Sequence, residues 1–367
     1  MLFGVLSFLT ALLVFFTVLP ISKSAVWWVR GADFPRAQFA AFAVILLGIE
    51  LALLDRSQAM TWVLVGTASA TLVYQAWWII PYTRLFPKEV KSARPGSATE
   101  RISLMNANVL TTNRRSDDLL RIVRAARPDV LVTLETDTWW EEQLAPLHAD
   151  YPHRLSCPLE NLYGMHLYSR LPLEDSKIQF LVEDDKPSFH TLVTLPSGRR
   201  IRLHCVHPAP PSPTENETSE ERDAELVAVG RAVVGAKLPV IVAGDLNDVA
   251  WSATTRLFRK VSGLLDPRVG RGMFNTYHAN HVYCRWPLDH LFHSEEFTVV
   301  KLERLPAFGS DHFPVLLELA LEESAAEEQD GLDADSSDVA EAEEKMSQVD
   351  VSAAEVHRPG AGGKKRA

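Results

Sequence analysis

Two short segments of the chain place a carboxylate among other polar groups at the border of an apolar run. One reads Gly244-Asp245-Leu246-Asn247, and the other reads Gly309-Ser310-Asp311-His312. A carboxylate can position water, and a histidine can donate a hydrogen bond to a phosphoryl oxygen. Either segment alone is also compatible with an ordinary structural turn. Together they suggest metal-assisted attack of water on a phosphate.

Such chemistry needs oxygen ligands, because Mg²⁺ is a hard cation that coordinates carboxylates, carbonyl oxygens and water. Asn108 and Glu135 follow two other apolar runs and, with Asp311, offer a ligand set of this kind. We therefore predict a site for Mg²⁺, with Mn²⁺ as an alternative ion. An Asp or Glu at the end of a strand is more often a cap than a ligand, so the hypothesis depends on the set.

The polar residues stand where short apolar runs stop, which is how strands deliver side chains to one edge of a layered fold. We predict strands near residues 101–104, 130–134, 201–207, 240–243, 288–292 and 315–319. Ser116 is typical of a helix N-cap, and Thr218 with Glu221 is typical of a capping box. Alternating strands and helices predict an α/β domain.

The order of six motifs in the chain resembles that of the endonuclease/exonuclease/phosphatase superfamily, which includes deoxyribonuclease I. The motifs are Asn106-Ala107-Asn108-Val109, Leu134-Glu135, His207-Pro208-Ala209-Pro210, Gly244-Asp245-Leu246-Asn247, Leu288-Asp289-His290 and Gly309-Ser310-Asp311-His312. The resemblance covers about residues 100–320. It implies a two-layer β-sandwich flanked by helices, in four layers. With its apolar N-terminal region, the chain is most similar to bacterial membrane-anchored members.

The resemblance also implies which residues bind the metal and which position the attacking water. Glu135 corresponds to the metal-binding glutamate of the family, with Asn108 and Asp311 completing the metal surroundings. Asp245 would align or deprotonate the attacking water, and Asn247 would hold the phosphate.

The histidines have implied roles as well. His312 would donate to a phosphoryl oxygen in the transition state, with Asp289 as its orienting carboxylate. An imidazole beside a carboxylate also has a raised pKa, which favours the cation. His207 would protonate the leaving oxygen, and a loop histidine before Pro208 is the alternative.

The first 88 residues predict a membrane anchor. Leu2–Ile21 and Ala59–Tyr82 contain no charged residue over 20 and 24 positions, and Ala37–Leu54 contains only Glu50. About 20 apolar residues are enough for a helix to cross the hydrocarbon core. We predict three transmembrane helices. A cleaved signal peptide is the alternative for the first of them, but the basic segment that would precede it is missing and two further spans follow.

Most basic residues near the spans lie on one side of a three-span arrangement, and only Arg56 lies on the other. The positive-inside rule therefore places the catalytic domain in the cytoplasm, at the bacterial inner membrane. Three cysteines without CxxC spacing predict neither a zinc site nor a disulfide framework.

The net charge of −10 comes mainly from the tail, because residues 321–367 carry 13 acidic and 5 basic residues. This composition, without aromatic residues, predicts disorder. The remaining chain has no large basic excess of the kind that duplex DNA binding usually requires.

The sequence thus predicts an anchor (residues 1–88), a linker (89–100), a catalytic domain (101–320) and a disordered acidic tail (321–367). The predicted activity is that of a metal-dependent phosphodiesterase or nuclease on nucleic acid. The alternative substrate is a lipid-linked pyrophosphate or a phospholipid among the membrane lipids. An inactive scaffold acting through the acidic tail is a hypothesis of another class.

Overall fold

The computed structural model describes residues 1–94 and 100–361. Within these ranges two β-sheets pack face to face and helices cover their outer surfaces. The strands are β1 (Arg101–Asn108), β2 (Val130–Leu134), β3 (His153–Cys157), β4 (Met165–Ser169), β5 (Leu173–Phe180), β6 (Pro187–Thr194), β7 (Arg200–Cys205), β8 (Val240–Asp245), β9 (Asp289–His293), β10 (Phe297–Arg304) and β11 (Val315–Leu321).

The first sheet has the strand order β10-β11-β1-β2-β4-β3, and the second has the order β5-β6-β7-β8-β9. The pairs β1–β2 and β7–β8 are parallel, and all other neighbours are antiparallel. The main core lies between the sheets, where the inward side chains of both meet. These two mixed sheets with flanking helices confirm the predicted fold class.

Nine helices accompany the strands in the described part of the chain. They are α1 (Leu2–Val18), α2 (Trp27–Arg30), α3 (Arg36–Leu53), α4 (Ala59–Ile79), α5 (Ser116–Ala126), α6 (Thr138–Gln143), α7 (Glu220–Ala232), α8 (Ala253–Ser262) and α9 (Ser336–Gln348). Helices α5 and α6 cover the first sheet through Leu119, Val123 and Trp140, and α7 and α8 cover the second.

Three of the N-terminal helical regions are long and apolar enough to cross a membrane: Leu2–Ser22, Arg36–Leu53 and Ala59–Tyr82. Glu50 would be costly in lipid, but it is fully buried and accepts a hydrogen bond of 2.8 Å from Thr10 of α1. The carboxyl group of Glu50 therefore faces helix α1, as ionisable residues in membrane-spanning helices usually face a neighbouring helix.

The interspan segment, residues 23–35, lies against the catalytic domain. The N–H of Trp27 donates to the carbonyl of Glu217 at 3.0 Å, and the indole of Trp251 donates to the carbonyl of Asp33 at 2.9 Å. Val26 and Thr218 form a β-bridge. Thr218 therefore does not cap a helix as predicted: α7 begins at Glu220, and its N-cap residue Ser219 makes no side-chain capping bond.

The predicted linker is packed over its described part, residues 89–94. Val90 is fully buried in the main core, Ser92 forms a β-bridge with Val299, and Glu89 forms a buried ion pair with Arg259. Residues 95–99 lie outside the described residues. Residues 89–94 thus pack as part of the catalytic unit, although their polar composition indicated a linker. Val90 is buried in the core of that unit, and Glu89 pairs with Arg259.

The acidic tail is not disordered as predicted over its described part. Its helix α9 begins with a capping box of Asp335 and Asp338 and packs against α7 and α8. Ala342 is fully buried there, and Lys345 donates to Asp223 of α7 at 2.9 Å. A few apolar residues on one helix face and specific ion pairs thus outweigh the polar composition. Residues 362–367 lie outside the described residues.

Candidate active site

Neighbouring strand ends bring the polar residues predicted from the sequence to one place. Asn108, the last residue of β1, pairs with Leu134 of β2, and Glu135 follows directly. In the second sheet Asp245, the last residue of β8, pairs with Asp289, the first residue of β9. Because the sheets pack face to face, these ends meet over one edge of the core.

His312 lies between two carboxylates. Its Nδ1 is 2.8 Å from Asp289 Oδ2, and its Nε2 is 3.4 Å from Asp245 Oδ2. Burial alone would lower the pKa of His312, but the charges of Asp245 and Asp289 outweigh it and raise that pKa to about 10. Asn106 donates to the other oxygen of Asp289 at 2.8 Å. His312 is therefore a fixed imidazolium at neutral pH.

Ligand-type atoms of Asp245, Asp289 and His312 lie within 4.8 Å of one another, a spacing that would also suit a metal ion. A protonated imidazole has no lone pair to offer a metal. We therefore interpret these three residues as a charge network and not as the metal site.

Among the carboxylates of the site, Glu135 has the surroundings that best suit a metal ligand. Its Oε2 is buried and has no hydrogen-bond partner among the described residues. Burial raises the pKa of Glu135 to about 7, against the hydrogen bond of 2.7 Å that Asn108 donates to Oε1. An enclosed carboxylate oxygen without a hydrogen-bond partner is costly, and a bound cation would remove that cost.

Asn108, predicted to complete the metal surroundings, makes three hydrogen bonds in the site. Its Nδ2 donates to Glu135 and, at 3.1 Å, to Asp245, whereas its Oδ1 accepts the N–H of Leu110 at 3.0 Å. An amide oxygen has a second lone pair, so the role of Asn108 as a metal ligand stays a prediction. Asn108 holds two carboxylates together as a donor.

Asp311 lies in a tight turn that faces the same cleft as Glu135. Gly309 has a φ of +100°, and a Cβ there would lie 2.7 Å from side-chain atoms of Asn113 and Arg115. The hydroxyl of Ser310 donates to the carbonyl of Asn108 at 2.8 Å. The turn thereby fastens Asp311 and His312 to the end of β1.

The segment from Gly244 to Asn247 is shaped by close backbone contact. Gly244 has a φ of +150°, and a Cβ there would lie 1.8 Å from the carbonyl oxygen of Val206. Asp245 accepts the N–H of Asn247 at 3.0 Å, and the amide of Asn247 donates to the carbonyl of Pro208. Arg222, which the sequence did not single out, donates to the carbonyl of Asn247 at 2.7 Å.

His207 is buried beside Tyr163, with ring centroids 5.2 Å apart, and its Nδ1 has no partner among the described residues. Burial lowers its pKa to about 4, although the charge of Asp245 opposes this. His207 is thus a neutral imidazole at neutral pH, which keeps one N–H to donate, and its role towards the leaving oxygen stays a prediction.

A cleft of about 650 Å³ opens over these groups. Glu135, Asn247, Asp311 and His312 line it, and so does Tyr277, whose ring centroid is 5.0 Å from that of His312. Trp27, Phe34 and Pro35 of the interspan segment form part of its wall, together with Trp286. No local pattern indicated that Trp27, Phe34 and Pro35 form this wall, because they lie far along the chain from the motifs.

The charges of the site fit a divalent cation. Four carboxylates, those of Glu135, Asp245, Asp289 and Asp311, surround a single imidazolium, and one oxygen of Glu135 is unsatisfied. Oxygen donors in a negative, partly dehydrated cleft are what Mg²⁺ or Mn²⁺ prefers.

The fold and the sequence both have known counterparts. The catalytic domain of human Nocturnin aligns with 64% of this chain and 97% of its own length, at 18% identity and a TM-score of 0.50. An endonuclease/exonuclease/phosphatase from Beutenbergia cavernae aligns with 61% of this chain and 72% of its own, at 18% identity and a TM-score of 0.49. No curated protein matches the chain.

The family model described as Endonuclease/Exonuclease/phosphatase family matches residues 103–312, which extend from β1 to the histidine of the charge network. That match covers more than half of the chain. The chain therefore belongs to the endonuclease/exonuclease/phosphatase family, whose members are metal-dependent hydrolases of phosphoester bonds.

Proposed function

We propose that this protein is a membrane-anchored phosphoester hydrolase that depends on Mg²⁺, with Mn²⁺ as an alternative ion. One observation carries the proposal: the unsatisfied oxygen of Glu135 and the imidazolium of His312 belong to one cleft. A cation site and a hydrogen-bond donor in one cleft suit the two needs of phosphoryl transfer, which are positioning and charge stabilisation.

Glu135 and Asp311 would hold the metal ion, while Asn108 keeps Glu135 in place by its hydrogen bond. A bound divalent ion neutralises charge on the phosphoryl oxygens. Glu135 is partly buried, with Oε2 fully enclosed and Oε1 bonded to Asn108, so its carboxylate is held in place before any ligand arrives.

Asp245 would align the attacking water. Its Oδ2 faces Asn108 and His312, and its Oδ1 accepts the N–H of Asn247, so its direction is fixed on both sides. The Nε2–H of His312 makes only a long contact of 3.4 Å with Asp245, which leaves it available to a phosphoryl oxygen. Asp289 keeps the ring in that orientation and the charge in place.

Asn247 and His207 would complete the reaction. Asn247 lines the cleft, held by Pro208 and Arg222, and would bind the phosphate. His207 is neutral, so it would assist the leaving oxygen as a hydrogen-bond donor and not as a cationic acid.

Three apolar helices support a multi-pass anchor in the bacterial inner membrane, in contact with membrane lipids. The interspan segment contacts the catalytic domain, and a three-span arrangement puts the two on the same side. The excess of Lys and Arg on that side favours the cytoplasm, although Arg30 and Arg36 are buried.

Nucleic acid and a lipid-linked phosphate are the two candidate substrates, and the apolar wall of the cleft favours the second.

The test is hydrolysis of bis(p-nitrophenyl) phosphate by the full chain in detergent. We expect activity with Mg²⁺ or Mn²⁺, loss of it with EDTA, and at least a roughly hundredfold fall for Glu135→Gln and for His312→Ala. Glu142→Gln, at an exposed position of α6, is the matched control. Equal rates for the wild type, Glu135→Gln and His312→Ala would rule out the proposed function.

A further inference from the structure

We propose that the phosphoester is carried directly on a long hydrocarbon chain, and that Trp27, Phe34 and Trp286 bind the start of that chain. The inference rests on the proposed function and names its substrate class. The occupant is a lipid phosphate or pyrophosphate presented at a bilayer surface.

The cleft has two chemically different walls. One carries the acidic and imidazolium groups of the site. The other is built from Trp27, Phe34 and Pro35 of the interspan segment, from Trp286, and from the proline-rich loop around residues 210–213. Phe34 and Trp286 meet edge to face, with ring centroids 5.6 Å apart. An amphiphile with a phosphate at one end matches this division.

The charge of the cleft argues against a polyanion. Among the described residues that line it, none is Lys or Arg, and Glu215 adds a further acid to Glu135 and Asp311. Nucleic-acid binding gains most of its affinity from cationic groups along the phosphate backbone. A single phosphate or pyrophosphate needs only the metal ion and His312.

The apolar wall continues to the ends of the membrane helices. Phe34 and Trp286 belong to one cluster with Trp78 and Ile79 at the end of α4, and Tyr82 joins that cluster to the catalytic core. Nearby large side chains are strongly exposed, including Trp77 at 73% and Leu85 at 89%. A hydrocarbon chain can therefore lie along apolar surface from the bilayer to the phosphate site.

The loop around Tyr283 extends the same surface. Val282 and Tyr283 are 68% and 88% exposed, and Gln38 of α3 donates to the carbonyl of Tyr283 at 2.8 Å. Exposed apolar residues at the level of a span end are typical of contact with lipid.

The wall is preformed. Arg36 and Asp33 form a buried ion pair of 2.5 Å, and Trp251 holds the carbonyl of Asp33. Phe34 lies between these anchored positions, and its ring packs edge to face on Trp286. The volume of about 650 Å³ fits a head group and the first part of a chain, and the rest would stay in the bilayer.

The experiment compares methyl, butyl and octyl p-nitrophenyl phosphate, which share one scissile bond, below the critical micelle concentration of each. The full chain is used in detergent with Mg²⁺. Each methylene that moves from water to the apolar wall favours binding by up to about fourfold, so we expect kcat/KM to rise at least roughly tenfold from methyl to octyl.

Phe34→Ala and Trp27→Ala should lower the octyl-to-methyl ratio of kcat/KM by about fivefold or more, mainly through KM. Trp28→Ala is the matched control, because Trp28 is next to Trp27 and exposed but does not line the cleft. The ratio is read within each variant, so partial loss of folded protein does not change it.

A flat chain-length series, or ratios unchanged by Phe34→Ala, would overturn the inference while leaving the proposed function intact. Hydrolysis of none of the esters would instead reject the proposed function. Plasmid DNA forms the last arm, and cleavage faster than that of the octyl ester, unaffected by Phe34→Ala, would assign the cleft to nucleic acid.

Discussion

At the scale of single residues, the neighbours of each histidine in the site determine its protonation state. His312 and His207 are both buried, yet the pKa of the first is raised to about 10 and that of the second is lowered to about 4. The difference is that two carboxylates face the ring of His312, whereas His207 is buried beside Tyr163. Burial thus yields a cation in one case and a neutral ring in the other.

Asp289 makes the clearest test of this arrangement. We expect Asp289→Asn to lower kcat for bis(p-nitrophenyl) phosphate by roughly a hundredfold with little change in KM, because His312 loses charge and orientation that matter in the transition state. Asp150→Asn, at an exposed position, is the control. A wild-type kcat for Asp289→Asn would contradict the role of Asp289.

At the scale of elements, strand ends are predictable from the sequence and long-range partners are not. Apolar runs followed by Asn108, Glu135 and Asp245 mark β1, β2 and β8 correctly, since a buried strand is a local pattern. Strand β5 was not predicted because its residues are mostly exposed and polar. Helix α9 depends on surface offered by α7, which no local pattern reveals.

In the candidate site, too, local patterns predicted the motif residues and not their long-range partners. The motif order was enough to name the eight residues that gather at the strand ends. Arg222 was missed because a lone Arg in a helical segment resembles a solvated residue, yet it is buried and ion-paired with Asp223. The wall residue Phe34 was missed because it belongs to the anchor region in sequence and to the cleft in space.

Helix α7 provides a prediction on stability. Burial raises the pKa of Glu225 to about 8, with the charge of Glu183 adding to the effect. Between pH 4.5, the ordinary value, and about pH 8, the folded state keeps the proton and the unfolded state loses it. Stability therefore falls as the pH rises through this window.

Glu225→Gln removes this titration. We expect the variant to be more stable than the wild type at pH 8, by roughly 2–4 kcal/mol, and nearly equal to it at pH 4.5, as measured by thermal unfolding in detergent. Glu220→Gln, at a partly exposed position of the same helix, is the matched control. A gain of the same size at both pH values would mean that packing, and not the buried charge, is responsible.

At the scale of the whole molecule, the N-terminal apolar region packs against the catalytic domain. The interspan segment pairs with residues 217–219 through backbone hydrogen bonds, and Tyr82 at the end of the third apolar region donates to the carbonyl of Ala250 at 2.5 Å. The N-terminal region therefore contributes to the catalytic domain directly, since its interspan segment supplies part of one wall of the cleft. This arrangement also fixes which loops must share a side of the membrane.

That constraint can be measured with single cysteines in a background where Cys157 and Cys284 are serine, since Cys205 is buried. Ser57→Cys lies in the exposed loop between α3 and α4, and Glu142→Cys lies on the exposed surface of α6. We expect a membrane-impermeant maleimide to label Ser57→Cys in intact cells and Glu142→Cys only after permeabilisation, because the positive side faces the cytoplasm. The reverse pattern would place the cleft outside the cytoplasm, and labelling of both from one side would contradict the three-span anchor.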